Sequence, residues 1–190
     1  MKKNVIQIRM RVLFVVMGLA LLSGCVTHPI PVNYAPTSVM SAAGSIKVSD
    51  FKYLPSDNAP KDKPIPSNLI RNTALGEIKI DKDVKTFVRD AVFAELRFVG
   101  IKTTDEKQFL RGDIEEFLID DLGYSVDWTL RIKYEIVEAA SQKVVYQSVK
   151  NIQRKTAKFV NVFGALNETI KLNAEELIKD AEFIKAINKS

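Results

Sequence analysis

One thiol, one imidazole and two runs of charge are the raw material for chemistry in this chain of 190 residues. Cys25 is the single cysteine, and His28, three positions later, is the single histidine. A lone thiol has no partner for an internal disulfide and no second sulfur for a zinc site, so it calls for another use. A Ser-His-Asp arrangement or a histidine metal site would have to be assembled around His28, in a segment with no periodic apolar pattern. The densest acidic cluster is Asp113, Glu115, Glu116, Asp120 and Asp121. Paired carboxylates suit glycoside hydrolysis or calcium ligation. Strict alternation, however, puts Asp113 and Glu115 on one strand face and Glu116 on the other. Calcium-loop spacing is lacking, and Asp120-Asp121-Leu122-Gly123 reads as a turn. The expectation is a solvated strand edge with no catalytic residue, no metal and no cofactor. Lys150, Arg154, Lys155 and Lys158 form the basic run. They are candidate contacts for anionic headgroups, lipopolysaccharide phosphates or peptidoglycan carboxylates, set against a plain solvated face.

Cys25 is understood from what precedes it. Lys2, Lys3, Arg9 and Arg11 make a basic head, Val12–Leu22 is an apolar run, and Ser23 and Gly24 are small. That order describes an export signal, and the run is shorter than the roughly 20 residues that span a bilayer. Leu22-Ser23-Gly24-Cys25 resembles a bacterial lipobox. The resemblance implies a thioether-linked diacylglycerol on Cys25, cleavage before it by a peptidase that recognises Leu22, Ser23 and Gly24, and acylation of the new amine. One acyl chain binds a membrane marginally and several hold it firmly. Val26 stands where an aspartate would retain an enterobacterial lipoprotein in the inner membrane, so the resemblance implies the periplasmic leaflet of the outer membrane.

The formal charge of +5 misleads. Of 28 Lys and Arg residues four lie in the signal, which holds none of the 23 Asp and Glu, leaving 24 against 23 and a net of +1. The usual step from a basic protein to nucleic acid fails. The division expected is a signal peptide over 1–24, a lipidated tether over 25–44 and one domain over 45–190. Residues 26–44 carry Pro29, Pro31, Pro36 and Gly44, and read as an extended, flexible tether of about 25 Å span.

Within the domain, Ser45–Phe51 alternates as a strand. Lys52–Ser67 contains Pro55, Pro60, Pro64 and Pro66 and reads as a surface loop. A short strand is expected at Ile78–Ile80. Lys82–Val99 is the first helix, with Asp81 as N-cap, Gly100 at C′, and Val84, Phe87, Val88, Ala91, Val92 and Leu96 in one stripe. Phe93 lies off that stripe and is the aromatic candidate for a partner contact. Phe109–Ile119, Ser125–Glu138 and Lys143–Ile152 read as strands. In the second of them Val126, Trp128, Leu130, Ile132, Tyr134 and Ile136 share one parity, the mark of a sheet covered on one side. Val162–Lys179 is the last long helix, and Glu182–Asn188 a helical tail. Together these predict an α+β fold, a mostly antiparallel sheet packed on one face by two helices.

The lipobox, the segment FVRDAVFAELRFVGIKT, the Trp128 hairpin and ALNETIKLNAEELIKDAEFIKAI together resemble the YajG-like outer-membrane lipoproteins, over most of the chain from Phe87 onward. The layout is also similar to the amino-terminal domain of TolB. The resemblance implies a non-catalytic binding or accessory lipoprotein, held in the membrane by acylated Cys25 and meeting an envelope protein or another copy of itself. A subunit of a multiprotein envelope machine (secretion, flagellar or synthase-activating) is the alternative. A cell-wall hydrolase using the 113–121 carboxylates stands third.

Overall fold

The computed structural model describes residues 29–73, 77–158 and 161–189. Leu22, Ser23, Gly24, Cys25 and His28 lie outside the described residues. In chain order the elements are β1 (Lys47–Tyr53), α1 (Leu54–Asp57), β2 (Leu69–Asn72), β3 (Ile78–Lys79), α2 (Val84–Phe98), β4 (Gln108–Asp120), β5 (Ser125–Glu138), β6 (Val144–Ala157), α3 (Val162–Ile178) and α4 (Ala181–Ile187).

The alternation of β5 fixes the architecture. Val126, Trp128, Leu130, Ile132, Tyr134 and Ile136 are all buried, while Asp127 and Arg131 on the other parity are exposed. β4, β5 and β6 form an antiparallel meander, and the helices cover only its apolar side. The fold is thus the expected α+β class. β1 and β2 depart from the antiparallel pattern, because both pair in parallel with the remaining edge of β4. β1 lies against Phe109–Ile114 and β2 against Leu118 and Ile119. Parallel neighbours need a long crossover, and the chain from β1 to β4 supplies it as α1, β2, β3 and α2.

Gly112 marks where that parallel edge closes on the core. It pairs with Phe51 on one side and Tyr134 on the other. A Cβ here would stand 2.6 Å from the Phe51 ring, and Phe51 meets Tyr134 edge-on at 6.1 Å. The aromatic ring occupies the space the glycine leaves.

Three expectations need correction. The Pro-rich stretch 52–67 is not wholly loop. β1 runs on to Tyr53, and Pro55 then sits in the first turn of α1, where its missing N–H is one the helix would not use. The N-cap of α2 is Asp83, not Asp81. Asp81 instead accepts the Val32 N–H at 3.1 Å. Residues 29–44, read as a flexible tether, form an extended strap packed on the body. Ile30 bridges to Ile80, Val32 is 2% exposed, and the Ala42 N–H donates to the Val99 carbonyl at 2.9 Å. Proline-set extended backbone leaves its N–H and C=O groups free to bond outward, and here they find partners at Lys79 on β3 and at Val99 just past α2.

Candidate functional site

The basic run is divided by strand parity before any ligand is considered. Lys150 and Arg154 share a face of β6 with Tyr146, which packs beneath the helices. The Lys150 ammonium donates to Asp180 Oδ2 at 2.6 Å, and the Tyr146 hydroxyl donates to the same oxygen at 2.7 Å. Asp180 is also the N-cap of α4, taking the Glu182 and Phe183 N–H groups at 2.9 and 3.4 Å. Arg154 donates to the Ala165 carbonyl at 3.3 Å. Lys155 has the opposite parity and lies on the open face, 3.5 Å from Asp127. Lys158 braces the β4–β5 turn, 3.3 Å from Asp121. Phe93 projects from α2, 36% exposed, on a different element from all four. The structure therefore does not gather these residues into one patch: two bind the core together, one is on the open face, and one is at the end of the sheet.

Burial alone would raise the Asp180 carboxyl. The Lys150 hydrogen bond, with those from Tyr146 and the Glu182 N–H, outweighs it and holds the group at about 2. A carboxyl depressed in the folded state contributes stability above its unfolded value near 3.9 and loses it as pH falls toward the folded value. Urea unfolding between pH 4 and pH 2 is therefore expected to show the parent losing about 1.5 kcal/mol that an Asp180→Asn chain does not lose, after allowance for solvent screening.

The acidic cluster is reshaped by a β-bulge. The register of β4 against β5 shifts between Ile114 and Glu116. Leu110, Gly112 and Ile114 are buried, and then Phe117 and Ile119, so the inward parity changes over the bulge. Glu116 consequently falls on the open side with Asp113 and Glu115, and not on the opposite face as strict alternation implied. Asp113 lies 3.9 Å from Lys52 and Glu115 2.6 Å from Arg131. Asp120 accepts the Thr73 hydroxyl at 2.6 Å. Exposed pairs of this kind add little stability; they make the open face a mosaic of neutralised charge. A hollow of about 320 Å³ on that face is lined by Asp50, Lys52, Arg111, Asp113, Lys133 and Glu135 among others. Among the described residues no three carboxylate, histidine or cysteine side chains converge on a position for a metal ion.

Glu95 escaped the sequence reading. It is fully buried on α2. The Tyr34 hydroxyl donates to Glu95 Oε1 at 2.5 Å, with the Thr37 N–H at 3.1 Å, and the Ser38 N–H reaches Oε2 at 3.3 Å. Burial, then the hydrogen bond and charge of Glu95, push the Tyr34 phenol far above its ordinary value, so it remains a donor. The Asn167 amide adds a bond to the Asn33 carbonyl at 3.0 Å. One signal was available: Glu95 follows Val88 and Val92 at helical spacing, a carboxylate inside an apolar stripe.

This fold has solved counterparts. The protein XCC0632 from Xanthomonas campestris, of the DUF330 family model, superposes with a TM-score of 0.59 at 14% identity, over 84% of this chain and 96% of that one. The hypothetical protein CT253 from Chlamydia trachomatis gives 0.51 at 7% identity, over 76% of this chain and 99% of that one. A weaker likeness, with a TM-score of 0.34 at 13% identity, reaches lipoprotein GNA1162 from Neisseria meningitidis, over 72% of this chain and 99% of that one. No family model matches the sequence, and no curated protein matches it significantly. At such identities the two closer likenesses establish the fold and leave activity open.

With the fold placed, the unabsorbed surface is apolar. Leu122 and Tyr124 in the β4–β5 turn and Val162 and Phe163 at the start of α3 are exposed at one end of the sheet. No helix among the described residues is long and apolar enough to cross a membrane.

Proposed function

We propose that this chain is a lipid-anchored accessory protein of the bacterial envelope, acting by binding and not by catalysis. Acylated Cys25 holds it on the periplasmic leaflet of the outer membrane. The observation that carries the reading is Leu22-Ser23-Gly24-Cys25, directly after a basic head and an apolar run. The same residues, with the α2 and α3 segments, support kinship with the YajG-like lipoproteins. The packed strap bears on how the domain is presented. Its bridge at Ile30 leaves four residues between anchor and body, a reach over five Cα steps of at most about 17 Å. The body is thus held against the membrane surface and not on a long leash.

Growing cells with labelled palmitate tests the reading. The parent chain is expected to carry label and to sediment with membranes, while a Cys25→Ser chain carries none and moves to the soluble fraction. An unlabelled parent, or a variant that stays with membranes, sinks the proposal.

A second reading, a subunit of an envelope assembly, is favoured by β6. This strand presents a 14-residue edge with no strand beyond it among the described residues, and Val145 and Val149 are 37% and 40% exposed. Natural sheets blunt such edges or pair them. Gentle detergent extraction followed by sedimentation is expected to give a monomer on the first reading and a stable multimer on the second.

A further inference from the structure

We propose that the β4–β5 turn and the start of α3 form a docking tip that inserts into the bilayer leaflet holding the Cys25 acyl chains. This rests on the lipid-anchor reading and adds the surface by which the body meets the membrane. Leu122 and Tyr124 are 74% and 102% exposed, Val162 and Phe163 41% and 43%. The turn is braced by the strand end beside it. Lys158, just past β6, donates to the Gly123 and Asp121 carbonyls at 3.2 and 3.5 Å. Leu122 and Tyr124 therefore project from a held turn and not from a loose loop, and Val162 and Phe163 from the first turn of a helix. The β5–β6 turn at the other end offers Ala140, Ser141 and Gln142 in the same role. A tyrosine ring, apolar in body and polar at its tip, suits the headgroup boundary.

The path of the chain identifies the occupant. β2 runs toward this tip in parallel with β4, and β3 runs away from it. Ile30 pairs in parallel with Ile80, just past β3. Pro29 therefore precedes Ile30 on the tip side. Lys79 pairs with Leu69 and Arg71 with Leu118, which sets Ile30 near the level of Glu115. From Glu115 to Leu122 is about 23 Å at 3.3 Å per residue. The five Cα steps from Cys25 to Ile30 reach at most about 17 Å of that, so an acylated Cys25 can stand within a few ångströms of the tip's level. Anchor and apolar end then face one surface.

Charge narrows the occupant further. At this end Lys155 already pairs with Asp127 and Lys158 with Asp121, at 3.5 and 3.3 Å. Anionic headgroups are not what it selects. The occupant is the apolar boundary of a zwitterionic leaflet, and the contact is insensitive to salt.

The test uses the full lipidated chain in phosphatidylcholine vesicles, with an environment-sensitive thiol probe at Leu122→Cys, at Phe163→Cys or, as the far-end control, at Ala140→Cys. All three positions are exposed. With the Cys25 sulfur acylated, the introduced thiol is the one that takes the probe. Probes at 122 and 163 are expected to emit to the blue and to be quenched several-fold more than at 140 by nitroxide-bearing phospholipid, equally at low and high salt. If the chain floats with the vesicles while 122 and 163 are quenched no better than 140, the tip is overturned and the anchor stands. A parent whose Cys25 itself takes the probe, and which does not float, overturns both. Quenching that appears only when envelope proteins are added assigns the surface to a protein and overturns the bilayer as occupant.

Discussion

A Glu95→Ala chain is expected to unfold about 3 kcal/mol below its parent, and to become sensitive to proteases between Asn33 and Met40. Glu95 is the point where the strap meets a buried acidic side chain. It takes the Tyr34 hydroxyl at 2.5 Å and the Thr37 and Ser38 N–H groups at 3.1 and 3.3 Å. Removing the carboxylate leaves these donors facing a helix that offers nothing in exchange, and an unmade buried bond costs about 1–3 kcal/mol. The strap can lift into water and recover part of this, so the sum is not three full penalties. Lifting is itself the diagnostic outcome. The Ala42 bond to Val99 and the Ile30 bridge to Ile80 remain, which should confine the new cleavage to the centre of the strap. A Glu95→Gln chain keeps one acceptor oxygen but turns an amide donor toward N–H groups, and should fall between the two. Urea midpoints at constant m-value, read beside limited proteolysis, check the expectation. A Glu95→Ala chain with an unchanged midpoint and an uncut strap would mean that residues 29–44 are held by their other contacts alone.

The strap also shows where sequence reading stopped. Its prolines were legible as extended backbone, and they are extended. What was not legible was its partner: Glu95 stands out as an acid inside an apolar stripe, but nothing local ties it to Tyr34, 61 residues away. The same division holds across the fold. β5 was readable to the residue because one face is core and the other water, so polarity alternates with the pleat. The parallel placement of β1 and β2 on one edge of β4 was not, since pairing between distant strands is decided by packing and not by local pattern. Two bulges account for smaller errors. One sends Glu116 to the open face. The other, between Ile136 and Val137, pairs Tyr146 and Val144 with those two neighbours and leaves Val145 over, so that Val144 and Val145 are both exposed although both are apolar. Lys150 and Lys155 looked like members of one basic patch because charge is visible in a sequence. Parity, also visible, already separated them.

Asn173 carries the second large effect. It is fully buried on α3, donating to the Leu130 and Lys150 carbonyls at 3.1 and 3.0 Å and accepting the Tyr134 hydroxyl at 2.8 Å. One side chain thus ties the helix to β5 and β6 at once. Burial holds the Tyr134 phenol well above its ordinary value, so it stays a donor wherever the protein is folded. An Asn173→Leu chain nearly conserves volume but strands that hydroxyl among apolar neighbours, and is expected to lose about 3 kcal/mol. A Tyr134→Phe chain, which removes the donor and leaves Asn173 bonded to both carbonyls, should lose about 1 kcal/mol. The double variant is the decisive measurement. With donor and acceptor both gone, no hydroxyl is stranded, and the loss should be smaller than the sum of the single losses by about 1 kcal/mol or more. Additive losses would show that Tyr134 and Asn173 pack independently. The cost of Asn173→Leu would then belong to the two strand carbonyls and not to the bond between the ring and the helix.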